Sequence, residues 1–217
     1  MNEHAKDLLI AGAKELGVSL SKGQLASLDL FAEELKKWNM KINLTAIKDD
    51  EGIALKHLVD SLSLLKVVRG PARLLDIGSG GGFPCIPVKI AQPDLDIVSV
   101  DAVIKKISFQ KQAVRLLNLV AFQPMHVRAE TLTEQYAGSF DWIVSRAFSE
   151  LASFVAMAFP LMKSDGRLVA MKGRNAAEEV SAAERALDEI GVRVEIVHDF
   201  LLPGTDDARS LIVMMKK

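Results

Sequence analysis

Through the first third of the chain, apolar residues recur at helical spacing. Leu8, Leu9, Ala13 and Leu16 form one stripe, and Leu25, Leu28, Phe31, Leu35 and Trp38 form a second. Ser21, followed three residues later by Gln24, reads as a capping box for the second helix. A further helix is predicted from about Asp50 to Val68, carrying Ile53, Leu58, Leu62 and Leu65, and Gly70-Pro71 then breaks the pattern. Beyond the break, β-rich runs alternate with helical stretches. The runs are Arg73–Ile77, Asp96–Asp101, a third-strand region from Phe122 to Val127, Phe140–Ser145 and Arg167–Met171. Helical patterns lie between them at about 85–91, 103–118, 149–162 and 175–190. Such alternation implies right-handed βαβ units and a parallel sheet covered on both faces. Two more strands, about 192–200 and 209–216, are joined by a Pro203-Gly204 turn too short for a parallel crossover, so the last strand runs antiparallel to its neighbour.

The expected fold is α/β: a Rossmann-like, mostly parallel seven-stranded sheet with an antiparallel last strand, preceded by a helical extension. The expected division is 1–70 for the extension and 71–217 for the sheet domain. A sheet ending in such a hairpin is the arrangement of class I methyltransferases rather than of dinucleotide dehydrogenases. With 217 residues, 49% of them hydrophobic, the chain can bury the core this fold needs. A net charge of −1 gives no global pull toward nucleic acid, so a polyanionic partner must be met by a local patch. The single cysteine, Cys85, excludes an internal disulfide framework, and four scattered histidines give no metal-ligand spacing. The N-terminus mixes charges into its apolar residues, and the longest apolar runs, such as Ala152 to Met162, fall short of a membrane span. A cytoplasmic, soluble protein is expected.

The strand Leu74-Leu75-Asp76-Ile77 runs straight into Gly78-Ser79-Gly80-Gly81-Gly82. Glycines gather where backbone must approach a ligand or take positive φ. The spacing is Asp-x-Gly-x-Gly-x-Gly; a dinucleotide fingerprint would need its third glycine at position 83, which is Phe, and no Gly-Lys-Ser/Thr of a P-loop follows. Asp101 ends the next strand, where a carboxylate can accept hydrogen bonds from two ribose hydroxyls. Alone, Asp101 would read as a cap for the following helix; beside the glycine turn the ribose role is the better reading. Acidic Asp76 disfavours a pyrophosphate and suits a cationic sulfonium. The combination points to S-adenosylmethionine, with NAD second.

The run Asp76-Ile-Gly-Ser-Gly-Gly-Gly-Phe-Pro-Cys-Ile-Pro87 closely resembles the first motif of the bacterial ribosomal RNA small subunit methyltransferase G family, also called glucose-inhibited division protein B. Trp38-Asn39 with Asn43-Leu-Thr45, His57-Leu-Val-Asp-Ser-Leu62, Ser145-Arg146-Ala147, Lys105-Lys106 and Lys172-Gly173 are similar as well, so the likeness spans nearly the whole chain. The resemblance implies methylation of N7 of guanosine 527 (standard rRNA numbering) in 16S ribosomal RNA. It implies cofactor contacts at Gly78, Phe83, Ala129, Glu130 and Arg146. Cys85 departs from the family's usual glycine.

Several residues have duller readings. Phe83, at a helix start, suits core packing as well as flanking a cofactor. Pro84-Cys85 has the look of a 5-methylcytosine nucleophile but sits in the wrong loop, and an inert buried thiol is favoured. His57 and Asp60 fall on one helical face, where helix–helix bonding rates slightly above a substrate role. Lys105, Lys106, Lys111 and Arg115 share a predicted helix beside the cofactor edge. Charge runs usually mark a solvated face, yet only Asp101 opposes them locally. With Lys172 and Arg174 they are the expected RNA contacts, and Lys36, Lys37 and Lys41 could extend the patch. After the fourth strand, Ser145-Arg146-Ala147-Phe148 replaces the Asn/Asp-Pro-Pro-Tyr/Phe of exocyclic-amine methyltransferases, which allows a ring nitrogen as acceptor.

The cofactor set is thus Asp76, Gly78, Gly80, Phe83, Asp101, Ala129, Glu130 and Arg146, with Arg146 also orienting the reaction and no general base. Expected partners are 16S ribosomal RNA within the small subunit or its precursor; no metal, no membrane and a monomeric state are expected. The rivals are a small-molecule methyltransferase lidded by the N-terminal helices and a non-catalytic S-adenosylmethionine-binding assembly factor.

Overall fold

Asn2 caps helix α1 (Glu3–Glu15) by accepting the Ala5 N–H. Helix α2 (Lys22–Ile42) starts on the anticipated capping box: the Gln24 N–H donates to Ser21 Oγ at 3.2 Å and the Ser21 N–H to Gln24 Oε1 at 2.8 Å. The same Gln24 amide donates to the carbonyls of Ile90 and Ala91 at 3.0 and 2.9 Å, pinning α2 to a helix of the sheet domain. Asn43, in the left-handed region at φ 49°, ends α2. A computed structural model describes residues 1–146, 148 and 150–217 of this chain.

The long helix expected from Asp50 to Val68 changes winding three times. An α-turn, α3 (Asp50–Gly52), passes into a π-helix (Ile53–Val59), a second α-turn, α4 (Asp60–Leu62), and a 3₁₀ turn (Ser63–Lys66). Ser61 Oγ donates to the His57 carbonyl and Ser63 Oγ to the Asp60 carbonyl, so hydroxyls compete for acceptors that a regular helix reserves for its N–H groups.

The sheet domain follows in the expected alternation: β1 (Arg73–Ile77), α5 (Cys85–Ala91), β2 (Asp96–Asp101), α6 (Ile104–Leu116), β3 (Phe122–His126), α7 (Thr133–Tyr136), β4 (Phe140–Ser145), α8 (Leu151–Ala158), β5 (Met162–Lys172), α9 (Ala176–Ile190), β6 (Val192–Leu201) and β7 (Ala208–Lys216). Two differences have local causes. The helix expected over 149–162 begins at Leu151 and gives way at Phe159–Leu161 to a 3₁₀ turn around Pro160, which has no N–H to continue it; Ser149 itself lies outside the described residues. Strand β5 therefore starts at Met162, and its register on β4 shifts between the Phe140–Met162 and Trp142–Arg167 pairs. The short turns Ala129–Leu132 and α7 had no periodic signal.

Strand order is β3-β2-β1-β4-β5-β7-β6. The first five strands are parallel; β7 runs antiparallel between β5 and β6. Side chains alternate between two core layers. Leu74, Ile97, Val144 and Val169 join the residues of α1, α2, α5 and α6, while Leu75, Val98, Ile143 and Leu168 pack under α8 and α9. Phe31 of α2 meets Phe109 of α6 at 5.9 Å and Phe83 at 5.4 Å, so the helical extension and the sheet share one core.

Gln24→Glu tests that union. The variant keeps the capping acceptor but cannot donate to Ile90 and Ala91, so urea unfolding should show a loss of about 1–3 kcal/mol. An unchanged midpoint would mean that the extension does not depend on this tie.

Candidate active site

The order of strands reverses between β1 and β4, and at this switch point open α/β sheets leave a crevice. The glycine turn stands there. Gly78, Gly80 and Gly82 have φ of 75°, 55° and 81°, conformations that L side chains adopt only at a cost. The turn is bolted to its neighbours: the N–H groups of Gly78 and Ser79 donate to the Val100 carbonyl, and the Gly80 N–H donates to Asp101 Oδ2 at 2.9 Å. Buried Gln110 of α6 donates to Ser79 Oγ and to the Gly80 carbonyl and accepts from Ser99 Oγ. A Cβ on Gly80 would meet no protein atom within 4 Å, whereas one on Gly82 would lie 2.4 Å from Ile86 Cδ1.

Asp101 is bonded within the protein through both oxygens. Oδ2 fixes the glycine turn and Oδ1 accepts the Val103 N–H at 2.8 Å, just before α6; Lys106 Nζ is 3.7 Å away. Each oxygen retains a lone pair for a ligand hydroxyl. A cavity of about 320 Å³ opens here, lined by Gly78, Asp101, Ala129, Glu130, Phe148 and Met157 among others. Four of the anticipated cofactor residues thus share one cavity. Gly80 lies in the adjoining turn, and Phe83 and Arg146 sit elsewhere.

Asp76 is fully buried at the foot of the turn, and neither carboxyl oxygen has a well-formed hydrogen-bond partner. Burial pushes its pKa up to about 8; the Cys85 thiol and N–H and the Arg146 charge favour the ionised form but offset only part of this. The Cys85 thiol is itself raised by burial and then by Asp76, which leaves it an inert core residue. An unpaired buried carboxyl beside a glycine cradle fits a cationic ligand and not a pyrophosphate.

A second cleft, about 460 Å³, lies at the same edge of the sheet, beyond β4 and β5. Its centre is Asp60, 4% exposed, which accepts from Arg146 Nη1 at 3.0 Å and from Arg209 Nε at 2.7 Å. Asp207 pairs with Lys56 at 3.2 Å and with Arg209 at 3.7 Å. His57, 7% exposed, lines the cleft with its Nε2 2.7 Å from Thr45 Oγ1. Burial, and then the Arg146 charge, lower His57 to about 4 against a weaker opposing pull from Asp60, so the imidazole is neutral at physiological pH. Phe83 is core, stacked on His57 at 4.5 Å, with the Arg146 guanidinium 5.3 Å from its ring centre.

Arg209 carried no sequence signal, because its partner Asp60 lies 149 positions earlier. Lys56, next to His57 in the quoted motif, could have been singled out by that adjacency. Ala147 of the Ser145-Arg146-Ala147 motif lies outside the described residues.

The predicted RNA contacts divide. Lys105, Lys111 and Arg115 share the solvent side of α6, and Arg174 is exposed after β5. Lys106, half-exposed, lies 3.7 Å from Asp101 at the start of α6. Lys172 points inward: its side chain is 8% exposed, donates to the Phe148 carbonyl at 2.7 Å and pairs with Glu179, so it lines the cleft instead of the outer face. Among the described residues no group of His, Cys, Asp or Glu could hold a metal ion, and no helix is long and apolar enough to cross a membrane.

A family model described as rRNA small subunit methyltransferase G matches residues 24–208. The chain belongs to this family. A ribosomal RNA small subunit methyltransferase G of Geobacter sp. (strain M21) is 72% identical over 214 residues, covering 99% of each chain. Its counterpart in Geotalea uraniireducens (strain Rf4) is 58% identical over 216 residues, covering 100% of this chain and 99% of the relative. Among solved structures, a SAM-dependent methyltransferase from Aquifex aeolicus aligns with a TM-score of 0.59 at 16% identity, over 85% of this chain and 98% of its own. A ribosomal protein L11 methylase from Lactobacillus delbrueckii subsp. bulgaricus aligns with a TM-score of 0.56 at 15% identity, over 79% and 81%. These two likenesses establish the Rossmann-like class I fold. The cofactor of this methyltransferase G chain is S-adenosylmethionine.

The glycine turn and its two carboxylates can be tested separately. Asp101→Ala removes an acceptor from the ligand and loosens the Gly80 N–H; titration calorimetry should show weaker S-adenosylmethionine binding by roughly 1.5–3 kcal/mol per charged hydrogen bond lost. Equal affinity in the variant would place the ligand elsewhere. Asp76 should also make folding pH-dependent. The unfolded chain releases this proton near 3.8 and the folded chain holds it to about 8. Its stabilising contribution is therefore full below 3.8 and is lost as pH rises to about 8. Asp76→Asn should gain stability relative to the unaltered protein across that window, and parallel melting curves for the two would refute the assignment.

Proposed function

We propose that the chain methylates N7 of the guanine at position 527 of 16S ribosomal RNA, within the small subunit or its precursor, acting as a cytoplasmic monomer. Membership of the methyltransferase G family supports ribosomal RNA as the substrate class. The observation that supports a ring nitrogen is the pairing of every carboxylate lining the second cleft. Asp60 is held by Arg146 and Arg209, and Asp207 by Lys56 and Arg209. Both carboxylates are committed to cationic side chains.

Guanine N7 needs no proton taken from it. It carries an in-plane lone pair and is unprotonated near neutral pH. S-adenosylmethionine, when bound, supplies an electrophilic methyl on a sulfonium. The residues of this chain then have to bind, align and exclude water. Gly78, Asp101, Ala129 and Glu130 would hold the cofactor in the first cavity, and Gly80 would shape its rim. Arg146, just after β4 on the wall of the second cleft, would orient the acceptor base. Lys105, Lys111, Arg115 and Arg174 would meet phosphates along the outer rim, as point charges that fix position without reading sequence.

The test is mapping of 7-methylguanosine by chemical cleavage of 16S RNA from cells with and without the protein. Loss of one modified guanine on deletion, restored by the unaltered gene, is the expected result; an unchanged pattern sinks the reading. Single-turnover rates at saturating cofactor and RNA should be flat from about pH 6.5 to 8.5, since no general base worth 10²–10⁴-fold is in use. A rate rising tenfold per pH unit in that range would reveal one.

A further inference from the structure

The helical extension reaches the cleft through a chain of side chains. Thr45 is fixed at both backbone groups by Asn39: its N–H donates to Asn39 Oδ1 and its carbonyl accepts from Asn39 Nδ2, each at 2.9 Å. The Thr45 hydroxyl accepts the Ile47 N–H and lies 2.7 Å from His57 Nε2. His57 is carried on the π-helix, a winding that concentrates at functional sites. Its ring stacks on Phe83 with 18° between planes, and the Arg146 guanidinium stands 5.3 Å from the centre of that same Phe83 ring. Nδ1 is buried and has no well-formed hydrogen-bond partner.

We propose that His57 is a positioning residue for methyl transfer: pinned by Thr45, its ring fixes Phe83, and Phe83 with Asp60 fixes the Arg146 guanidinium at the cleft. The inference rests on the reading of Arg146 as the residue that orients the acceptor. His57 moves no proton in this role. Its other charged neighbours, Lys56, Asp60 and Arg146, are committed to ion pairs or to the Phe83 face, and the neutral imidazole serves as a rigid plate. The stack also gives the N-terminal third of the chain a part in turnover that does not pass through cofactor affinity.

Thr45→Val, His57→Ala and His57→Phe test it in three measurements: S-adenosylmethionine binding by calorimetry, single-turnover methyl transfer to small ribosomal subunits lacking the modification, and ¹H–¹⁵N spectra of the arginine side chains. His57→Ala should lower the single-turnover rate by about a hundredfold, the scale of a small misplacement of a reacting pair. Cofactor Kd and the KM for subunits should hold. The Arg146 guanidinium signal, shifted by the Phe83 ring current, should move toward that of a solvated arginine. His57→Phe keeps the stack and should recover most of the rate and of the shift, with Thr45→Val in between. A His57→Ala protein with normal rate, or one altered only in Kd or KM, overturns the proposal. So does a His57→Phe protein as slow as His57→Ala with a normal Arg146 signal, which would assign the imidazole nitrogens a chemical role. Failure of the unaltered chain to methylate small subunits would refute the functional reading alone. The arginine spectra then still decide this one, an unmoved Arg146 signal in His57→Ala counting against it.

Discussion

The Asp60 carboxylate gives one oxygen to Arg146 and the other to Arg209, and the walls of the cleft are arranged around that sharing. Three distant parts of the chain meet at this carboxylate: the rewound helix of the extension, the end of β4 and the start of β7. A buried carboxylate between two guanidiniums holds only while all partners stay, since a missing one leaves a charge without water or counter-ion. The sheet must therefore set β7 beside β5, where Lys172 faces Ser210 and Arg209 reaches the same edge as Arg146. The rewound turns must likewise present Asp60 and His57 inward together. Fold and cleft specify each other at this point.

The first cavity is held as firmly. Asp101 and Gln110 hold the glycine turn from β2 and α6, so its backbone is set before any ligand arrives. Three glycines take positive φ without strain, and hydrogen bonds to the adjoining strand and helix hold the turn they form. Asp76 departs from this pattern of satisfied groups, which is why its protonation is sensitive to what lies nearby.

Much of this was legible in the sequence. The helix stripes, the capping box at Ser21, the alternation of strands and the closing hairpin all express short-range periodicity and turn chemistry. The meeting of the glycine turn and Asp101 was legible because both end adjacent parallel strands. The insertion of β7 between β5 and β6 was not, because a hairpin fixes which strands pair with each other and leaves the third partner open. The rewinding over residues 50–66 escaped notice because Ser61 and Ser63 act through carbonyls that periodicity does not see. Lys172 has the sequence look of a rim charge, yet strand alternation turns it toward Glu179. Arg209 and Asp60 meet only in three dimensions.

The position of β7 also bears on how the molecule is made. Synthesis proceeds from the N-terminus, so β1 to β5 and the helices that cover them leave the ribosome before the strand that completes their sheet. Until β7 arrives, the edge of β5 offers a row of unpaired backbone groups to any passing strand. Arg209 arrives with it, so Asp60 waits 149 positions of synthesis for its second guanidinium. The nascent chain can thus hold a formed glycine turn while the second cleft, where Asp60 already faces Arg146, still lacks the guanidinium that closes its other side.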